Sequence, residues 1–179
     1  MAEVYKMKIA GVDCELKKFP VNDKVEIAAF ILFDNVEVTI KSAEELQKRV
    51  PEYDIIVTPE AKSIPLAYEM AKQNNKPYVV LRKGLKVYMR DPICSVVNSI
   101  TTDNVQELYI GQDDVDRIKG KRVLLLDDVI STGDSIRAAM QILDKINANV
   151  VATCAVLAEG DAAKRDDIIF LEELPLFIK

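Results

Sequence analysis

The chain is 179 residues long, is 49% hydrophobic and 30% charged, and carries a formal net charge of −5. This composition is typical of a soluble globular protein, and the acidic balance argues against a surface that binds nucleic acid. Because the chain has no histidine, Ser-His-Asp triads, Cys-His dyads and histidine-ligated zinc are excluded. Three widely spaced cysteines, no long apolar run and no N-terminal signal region predict a reduced, cytoplasmic protein without a membrane segment.

The hydrophobic pattern predicts strands at the start of the chain and alternating strands and helices after it. Strands are predicted at 15–21, 25–33, 53–58, 77–83, 105–110, 123–126 and 150–157, and a last short one within 168–177. Helices are predicted at 42–50, where Ser42-Ala43-Glu44-Glu45 resembles a capping box, at 65–75, and directly after residue 135. Residues 84–104 lack periodicity and are long for a connection, which favours a functional lid. The alternation predicts an α/β fold, with a parallel central sheet flanked by helices on both faces.

The most informative segment is 123–135, with the sequence Val-Leu-Leu-Leu-Asp-Asp-Val-Ile-Ser-Thr-Gly-Asp-Ser. A buried strand, 123–126, is followed by two acids and by a loop of small residues, 131–135, that opens an amphipathic helix. Such a loop presents free backbone N–H groups and the positive end of the helix dipole to a phosphate. Paired carboxylates accept hydrogen bonds from the vicinal hydroxyls of a ribose. The plainer alternative is that the two acids only cap the helix that follows.

This segment resembles the phosphoribosyl-pyrophosphate (PRPP) signature of type I phosphoribosyltransferases, and the chain is most similar to their adenine phosphoribosyltransferase-like, purine branch. The resemblance implies one domain, 1–179, with a core at 53–159 and a hood from 1–40 and 160–179 over the base. It implies Asp127 and Asp128 as catalytic residues, and Mg²⁺ bound with PRPP near them without a direct protein ligand. The residues implied to bind the ribose and the 5′-phosphate are Asp127, Asp128, Ser131, Thr132, Gly133, Asp134 and Ser135.

Two shorter segments resemble the family's pyrophosphate site. The residues concerned are Glu60, Ala61, Lys62, Ser63, Arg82 and Lys83. The first four follow a predicted strand as the family's pyrophosphate loop does, and the resemblance places a cis peptide at Ala61–Lys62. The alternatives are that Ser63 is an ordinary helix N-cap and that Arg82-Lys83 is a solvated basic pair.

The resemblance also implies a flexible loop at 89–104 that closes over PRPP and excludes water. Candidates for closing it are Ser99-Ile100-Thr101-Thr102, Lys86, Tyr88 and Arg90.

The base is predicted from two departures from the common hypoxanthine-guanine enzymes. Ser131 stands where those enzymes carry an acid, and no lysine follows the strand 150–157 until Lys164, so a donor for a 6-oxo group is missing. A carboxylate or a backbone carbonyl suits the amino group of adenine. Glu159 and Val129 are the candidate base-binding residues. Either Phe33 or Phe177 stacks on the base or packs in the core, and Asp128 or Glu159 handles the proton at the base nitrogen.

Adenine is therefore the predicted acceptor, with PRPP and the purine base as the partners of a homodimer that binds neither nucleic acid nor membrane. The alternatives are a 6-oxopurine enzyme, acting on hypoxanthine, guanine or xanthine, and a PRPP-sensing regulator of the same fold without catalysis. A third possibility is an unrelated α/β domain in which the signature arises by accident.

Overall fold

The computed structural model describes residues 3–98 and 105–178 and contains two main sheets and four α-helices within them. The strands are β1 (Val4–Ile9), β2 (Val12–Pro20), β3 (Val25–Ala28), β4 (Ile55–Pro59), β5 (Tyr78–Leu81), β6 (Ile93–Asn98), β7 (Val105–Ile110), β8 (Arg122–Ile130), β9 (Asn149–Glu159), β10 (Ile169–Leu174) and β11 (Phe177–Ile178). The helices are α1 (Val36–Arg49), α2 (Ile64–Asn74), α3 (Gln112–Ile118) and α4 (Asp134–Lys145), and a 3₁₀ helix spans Gly160–Lys164. Each helix within the described ranges is too short or too polar to cross a lipid bilayer.

The central sheet has the strand order β10-β9-β8-β4-β5, and every pairing in it is parallel. Its middle strands are apolar on both faces, as strands covered on two sides must be. Ile56 and Leu124 point into a core with α1 and α2, whereas their chain neighbours Ile55 and Val123 point into a second core with α4. The predicted α/β fold class is confirmed.

The helix α4 begins at the end of the loop predicted to bind phosphate and anchors that loop to the sheet. Its buried positions Ile136, Ala139 and Leu143 recur at helical spacing, so one stripe of the helix faces the second core. Because this stripe is enclosed, the N-terminal end of α4 is fixed beside the carboxyl end of β8.

The hood is a four-stranded antiparallel sheet with the order β1-β2-β3-β11. The tail contributes less to it than predicted, since β10 pairs with β9 at the edge of the central sheet and only β11 reaches β3. At the other end, residues 36–40 belong to α1 and not to the hood. The tail divides in this way because Leu171 and Leu174 are buried in the core beneath α1.

Two element predictions are corrected. The helix predicted at 42–50 begins at Val36, and Ser42 is fully buried within it, so the capping-box prediction is wrong. Val38, Ser42 and Leu46 are buried at helical spacing, and this packing overrides the strand preference of the β-branched residues near 36–40. The strand predicted at 25–33 correspondingly ends at Ala28.

The segment 84–104 is also more regular than predicted. Its residues 93–98 form β6, which pairs antiparallel with β7. The polar Ser95 occupies an inward position and hides the alternation in the sequence. Its hydroxyl is satisfied there, because Ser95 Oγ donates to Gln141 Oε1 of α4 at 2.7 Å.

Candidate active site

The prediction places a phosphate loop at residues 131–135, before the helix. In the structure residues 131–133 connect β8 to α4, and Asp134 and Ser135 are the first residues of α4. These five residues lie around a cavity of about 240 Å³. The loop residues and Asp127 line this cavity together, whereas Asp128 is not among its lining residues. Gly133 has φ of 81°, a left-handed conformation that favours glycine at the turn into α4. Thr132 is exposed at the tip of the loop, while Asp134 is buried and forms an ion pair with Arg137.

The two signature acids are enclosed at the end of β8. Asp127 is 7% exposed and Asp128 is 3% exposed. Asp127 Oδ1 accepts the backbone N–H of Asp128 at 2.9 Å. Burial first, and then the negative charge of Asp128, raise the pKa of Asp127 well above its usual range. The positive charge of Lys62 opposes this shift without cancelling it.

Lys62 approaches the two acids from the loop predicted to bind pyrophosphate. Its Nζ lies 2.9 Å from Asp128 Oδ2, although the lysine side chain itself is half exposed. This contact joins the loop after β4 to the acids of β8. The sequence separates the two by more than sixty residues, and the parallel pairing of β4 with β8 brings their carboxyl ends together.

The rest of that loop is organised by buried hydroxyls. Ser63 Oγ donates to Pro59 O at 3.0 Å, and Thr58 Oγ1 lies 2.7 Å from Ser63 Oγ. The Ser63 hydroxyl is thereby engaged within the protein and makes no capping hydrogen bond to α2. The cis peptide is at Glu60–Ala61, so its predicted position at Ala61–Lys62 is wrong by one residue. The N–H of Glu60 still donates to Leu81 O at 2.8 Å, so the chain leaves the sheet after Glu60.

The Glu60 carboxylate is engaged within the protein, where it forms an ion pair with Arg82. Arg82 Nε donates to Glu60 Oε2 at 3.1 Å, and the backbone N–H of Lys83 donates to the same oxygen at 2.9 Å. These bonds lower the pKa of Glu60, with the Arg82 hydrogen bond as the main cause. Arg82 also contacts the Tyr88 hydroxyl. Both basic residues thus directly follow β5, beside the loop predicted to bind pyrophosphate.

Glu159 ends β9 beside the loop that follows β8. It is 9% exposed, and burial raises the pKa of its carboxyl, while a hydrogen bond from Ser131 and the charge of Lys62 oppose that shift. A Cβ on Gly160 would lie 2.7 Å from Leu176 Cδ1, which shows that the C-terminal tail covers this corner. Val129, the other base candidate, pairs with Leu157 one strand away and also lines the cavity.

The two candidate aromatic residues have different surroundings. Phe177 packs edge-on against Tyr5, with ring centroids 5.1 Å apart, and Lys18 Nζ lies 4.3 Å from its ring centroid. The Phe177 ring therefore packs against other residues of the hood. The Phe33 side chain is half exposed on the surface.

Part of the predicted lid can be placed. Tyr88 contacts Arg82, as described above, whereas Arg90 is turned toward α3, with Nη2 2.8 Å from Asp113 Oδ1. Ser99, Ile100, Thr101 and Thr102 lie outside the described residues.

Sequence reasoning missed Gln106, which lines the phosphate cavity from β7. Its Oε1 accepts the hydroxyl of Ser135 at 3.2 Å. No motif marks this glutamine, and only the placement of the β6–β7 hairpin beside α4 brings it to the loop.

The described residues of this site could supply only some of the ligands of a metal ion. Across residues 3–98 and 105–178, no group of three or more acidic or cysteine side chains is arranged to hold a metal ion alone. Asp127 and Asp128 are hard oxygen donors of the kind that Mg²⁺ accepts, and Mg²⁺ usually retains waters and substrate phosphate oxygens as further ligands. The donor set therefore fits a magnesium ion that arrives with a phosphorylated substrate.

Comparison with known proteins gives matches to phosphoribosyltransferases in both sequence and structure. A family described as "phosphoribosyl transferase domain" matches residues 32–175. "HGPRTase-like protein 1" of Haloquadratum walsbyi is 34% identical over 155 residues, which cover 87% of this chain and 77% of that protein. "Adenine phosphoribosyltransferase" of Mycoplasma mobile is 30% identical over 139 residues, covering 76% of this chain and 77% of that one.

Among solved structures, adenine phosphoribosyltransferase from Thermoanaerobacter pseudethanolicus superimposes with a TM-score of 0.73. It is 20% identical, and the match covers 88% of this chain and 95% of that one. At this identity the likeness shows a shared fold.

Proposed function

The chain belongs to the phosphoribosyltransferase family, and from that premise we propose that it transfers ribose 5-phosphate from PRPP to adenine, giving AMP and pyrophosphate. The observation that carries this proposal is the 2.9 Å contact between Lys62 Nζ and Asp128 Oδ2. It joins a candidate pyrophosphate loop to candidate ribose-binding acids, one of which, Asp127, lines the cavity at the start of α4. A ribose that carries a phosphate at one end and a pyrophosphate at the other would contact the 131–135 loop, the two acids and the candidate pyrophosphate loop.

The 5′-phosphate of PRPP belongs in the loop 131–135. Backbone N–H groups at the start of α4 donate to its oxygens, and the helix dipole favours its negative charge. Asp127 and Asp128 accept hydrogen bonds from the ribose hydroxyls. This holds the sugar so that its anomeric carbon faces the base.

As the bond to pyrophosphate breaks, positive charge develops on the ribose and negative charge on the leaving group. The two carboxylates stabilise the first, and Lys62, Arg82 and the loop amides stabilise the second. Mg²⁺ bound with PRPP near Asp127 and Asp128 supplies further charge neutralisation to the phosphate oxygens. Fixed charges of this kind act without reorganising during the reaction.

Adenine is proposed as the base because of the acid at the end of β9. The Glu159 carboxylate, oriented by Ser131, accepts a hydrogen bond from an exocyclic amino group and rejects an oxo group at the same place. The first lysine beyond β9, Lys164, is paired with Asp161 on the surface.

A 6-oxopurine is the second candidate, favoured by the name of the Haloquadratum walsbyi relative. The two are separated by supplying PRPP, Mg²⁺ and an equimolar mixture of adenine, hypoxanthine, guanine and xanthine, and identifying the nucleotide products by chromatography. AMP as the main product supports the proposal, and IMP, GMP or XMP as the main product replaces adenine with a 6-oxopurine.

The regulatory alternative makes a different prediction, namely PRPP binding without any nucleotide product.

We also propose a cytoplasmic homodimer, on the resemblance to the family. Sedimentation equilibrium tests the dimer, and a monomer at micromolar concentration would contradict it.

A further inference from the structure

Arg165, which follows the 3₁₀ helix, lies against the phosphate loop although thirty residues separate it from that loop. A Cβ built on Gly133 would lie 3.1 Å from Arg165 Nη1. One end of the guanidinium therefore occupies the space beside Gly133 that a side chain would fill, at the residue where the loop turns into α4.

The guanidinium is fixed in this place by Asp167. Arg165 Nε donates to Asp167 Oδ1 at 2.8 Å, and Nη2 donates to Asp167 Oδ2 at 2.7 Å. A two-point pair of this kind fixes the plane of the guanidinium. It uses the edge of the guanidinium away from the loop, and the Nη1 end is the one directed at Gly133. The arginine side chain is 35% exposed.

Because the 131–135 loop contains an acidic residue, a phosphate bound there gains more from a further positive charge than it would in a loop without an acid. It contains the buried acid Asp134, which is paired with Arg137. A phosphate dianion that enters the loop is therefore opposed by this carboxylate, whose partner arginine is already engaged. Loop amides and the helix dipole favour the phosphate, and a positively charged group on the other side of Gly133 adds to them.

We propose that Arg165 binds the 5′-phosphate of the substrate, with Asp167 as the residue that positions it. The inference rests on the proposed function for the identity of the ligand. It assigns Arg165 to the phosphate of the sugar and not to pyrophosphate, because the group it touches is the 131–135 loop.

The test compares two ligands that divide the substrate between them. Ribose 5-phosphate and pyrophosphate, each with Mg²⁺, are titrated calorimetrically into the wild-type protein, Arg165→Gln and Lys164→Gln. The last variant is a matched control, because it removes one positive charge from an adjacent exposed residue whose partner is Asp161. Arg165→Gln is expected to weaken ribose 5-phosphate binding about tenfold or more, the loss of one charge-assisted hydrogen bond. The affinity of Arg165→Gln for pyrophosphate should differ from that of the wild type by less than about twofold.

Two further variants separate a binding role from a structural one. Arg165→Lys keeps the charge and loses the fork, so it should recover part of the affinity for ribose 5-phosphate. Asp167→Asn should weaken the same ligand by a smaller factor than Arg165→Gln. Equal thermal unfolding midpoints of the variants and the wild type would show that the fold is intact.

The outcomes separate failure of this inference from failure of the proposed function. If the wild-type protein binds neither ligand, the proposed function fails. If it binds both and Arg165→Gln binds ribose 5-phosphate normally, only the assignment of Arg165 is overturned. A loss that falls equally or mainly on pyrophosphate also overturns it.

Discussion

Asp127 carries a conflict between stability and function. Its carboxyl is buried next to a second acid, and this raises its pKa well above the usual range. A carboxyl whose folded-state pKa is raised contributes full stability only below its unfolded pKa, and that contribution is lost as the pH rises through the folded pKa. The position is therefore occupied at a cost to the fold, as expected of a group retained for binding.

Replacing Asp127 by Asn should make the unfolding midpoint less dependent on pH. Relative to the variant, the wild-type midpoint should fall as the pH rises from 5 to 9, with about 2–4 °C for each kcal/mol in a protein of this size. The introduced amide keeps a carbonyl acceptor for the N–H of Asp128 without the charge. Differential scanning calorimetry across this pH range measures the effect.

The matched control is Asp161→Asn, an acid on the surface whose side chain is 93% exposed and paired with Lys164. Surface pairs contribute little, so its midpoints should follow those of the wild type. A wild-type midpoint that rises relative to Asp127→Asn between pH 5 and 9 would contradict the account of this acid.

Glu159 gives a prediction for the base. Burial raises the pKa of its carboxyl, and protonation below that pKa removes the negative charge that strengthens the hydrogen bond from an amino group. The kcat/KM for adenine should therefore fall as the pH decreases through that pKa, and the acidic limb should lie above the usual range of a glutamate. Glu159→Gln should abolish this limb and lower kcat/KM about tenfold, because the neutral amide oxygen is a weaker acceptor than the charged carboxylate. A limb that persists unchanged in Glu159→Gln would assign the titration to another group.

At the scale of elements, Glu60 ties the pyrophosphate loop to the end of β5 through Arg82. Glu60→Gln should raise the KM for PRPP more than it lowers kcat, because Arg82 then loses its fixed position. Combined with Arg82→Gln, the effect should be non-additive by about 0.5–3 kcal/mol, as for residues in direct contact. Steady-state kinetics of the two single variants and the double variant measure the coupling.

The control for this cycle is Glu52→Gln. Glu52 makes an ion pair with Arg122 at 3.1 Å, the same distance as Glu60 to Arg82, but its side chain is 86% exposed. Its kinetics should match those of the wild type. Strict additivity of the Glu60 and Arg82 changes would show that the two residues do not act as a unit.

The elements that sequence predicted well are those in which local preference and burial agree. In β8 a continuous apolar run is covered on both faces, and in α4 the apolar stripe follows the helical period, so each pattern has one interpretation. In α1 the β-branched residues near Val36 favour a strand locally, and contacts with the sheet decide for a helix. In β6, Ser95 breaks the alternation, and its partner Gln141 lies on another element.

The site divides in the same way. Residues 127–135 are contiguous and could be predicted as a group, because the end of β8, the short connection and the start of α4 follow one another along the chain. Gln106 and Arg165 reach that loop only through the hairpin and the tail, and no local pattern marks them. The geometry at Lys62 is intermediate, since the motif indicates the loop and only strand pairing brings it to Asp128.

At the scale of the whole molecule, the carboxyl edge of the central sheet holds the residues proposed for sugar and phosphates, and the hood and tail lie near the proposed base site. Phe177→Ala removes the ring contact with Tyr5 that secures the tail. It should raise the KM for adenine about two- to tenfold, by the strength of one aromatic pair, and leave the KM for PRPP unchanged. Ile178→Ala is the control, because that residue is 83% exposed. Equal increases in both KM values for Phe177→Ala would contradict this division.

The most direct test of the central claim is pyrophosphate release from PRPP and Mg²⁺ in the presence of adenine, measured for the wild-type protein and for the double variant Asp127→Asn, Asp128→Asn. The account predicts release by the wild type that requires the base, and a loss of at least about a hundredfold in the double variant, from two hydrogen bonds to charged groups. The folded state of the variant is checked by its unfolding midpoint. Undiminished release by the folded double variant, or no release by the wild type with any purine, would contradict the account.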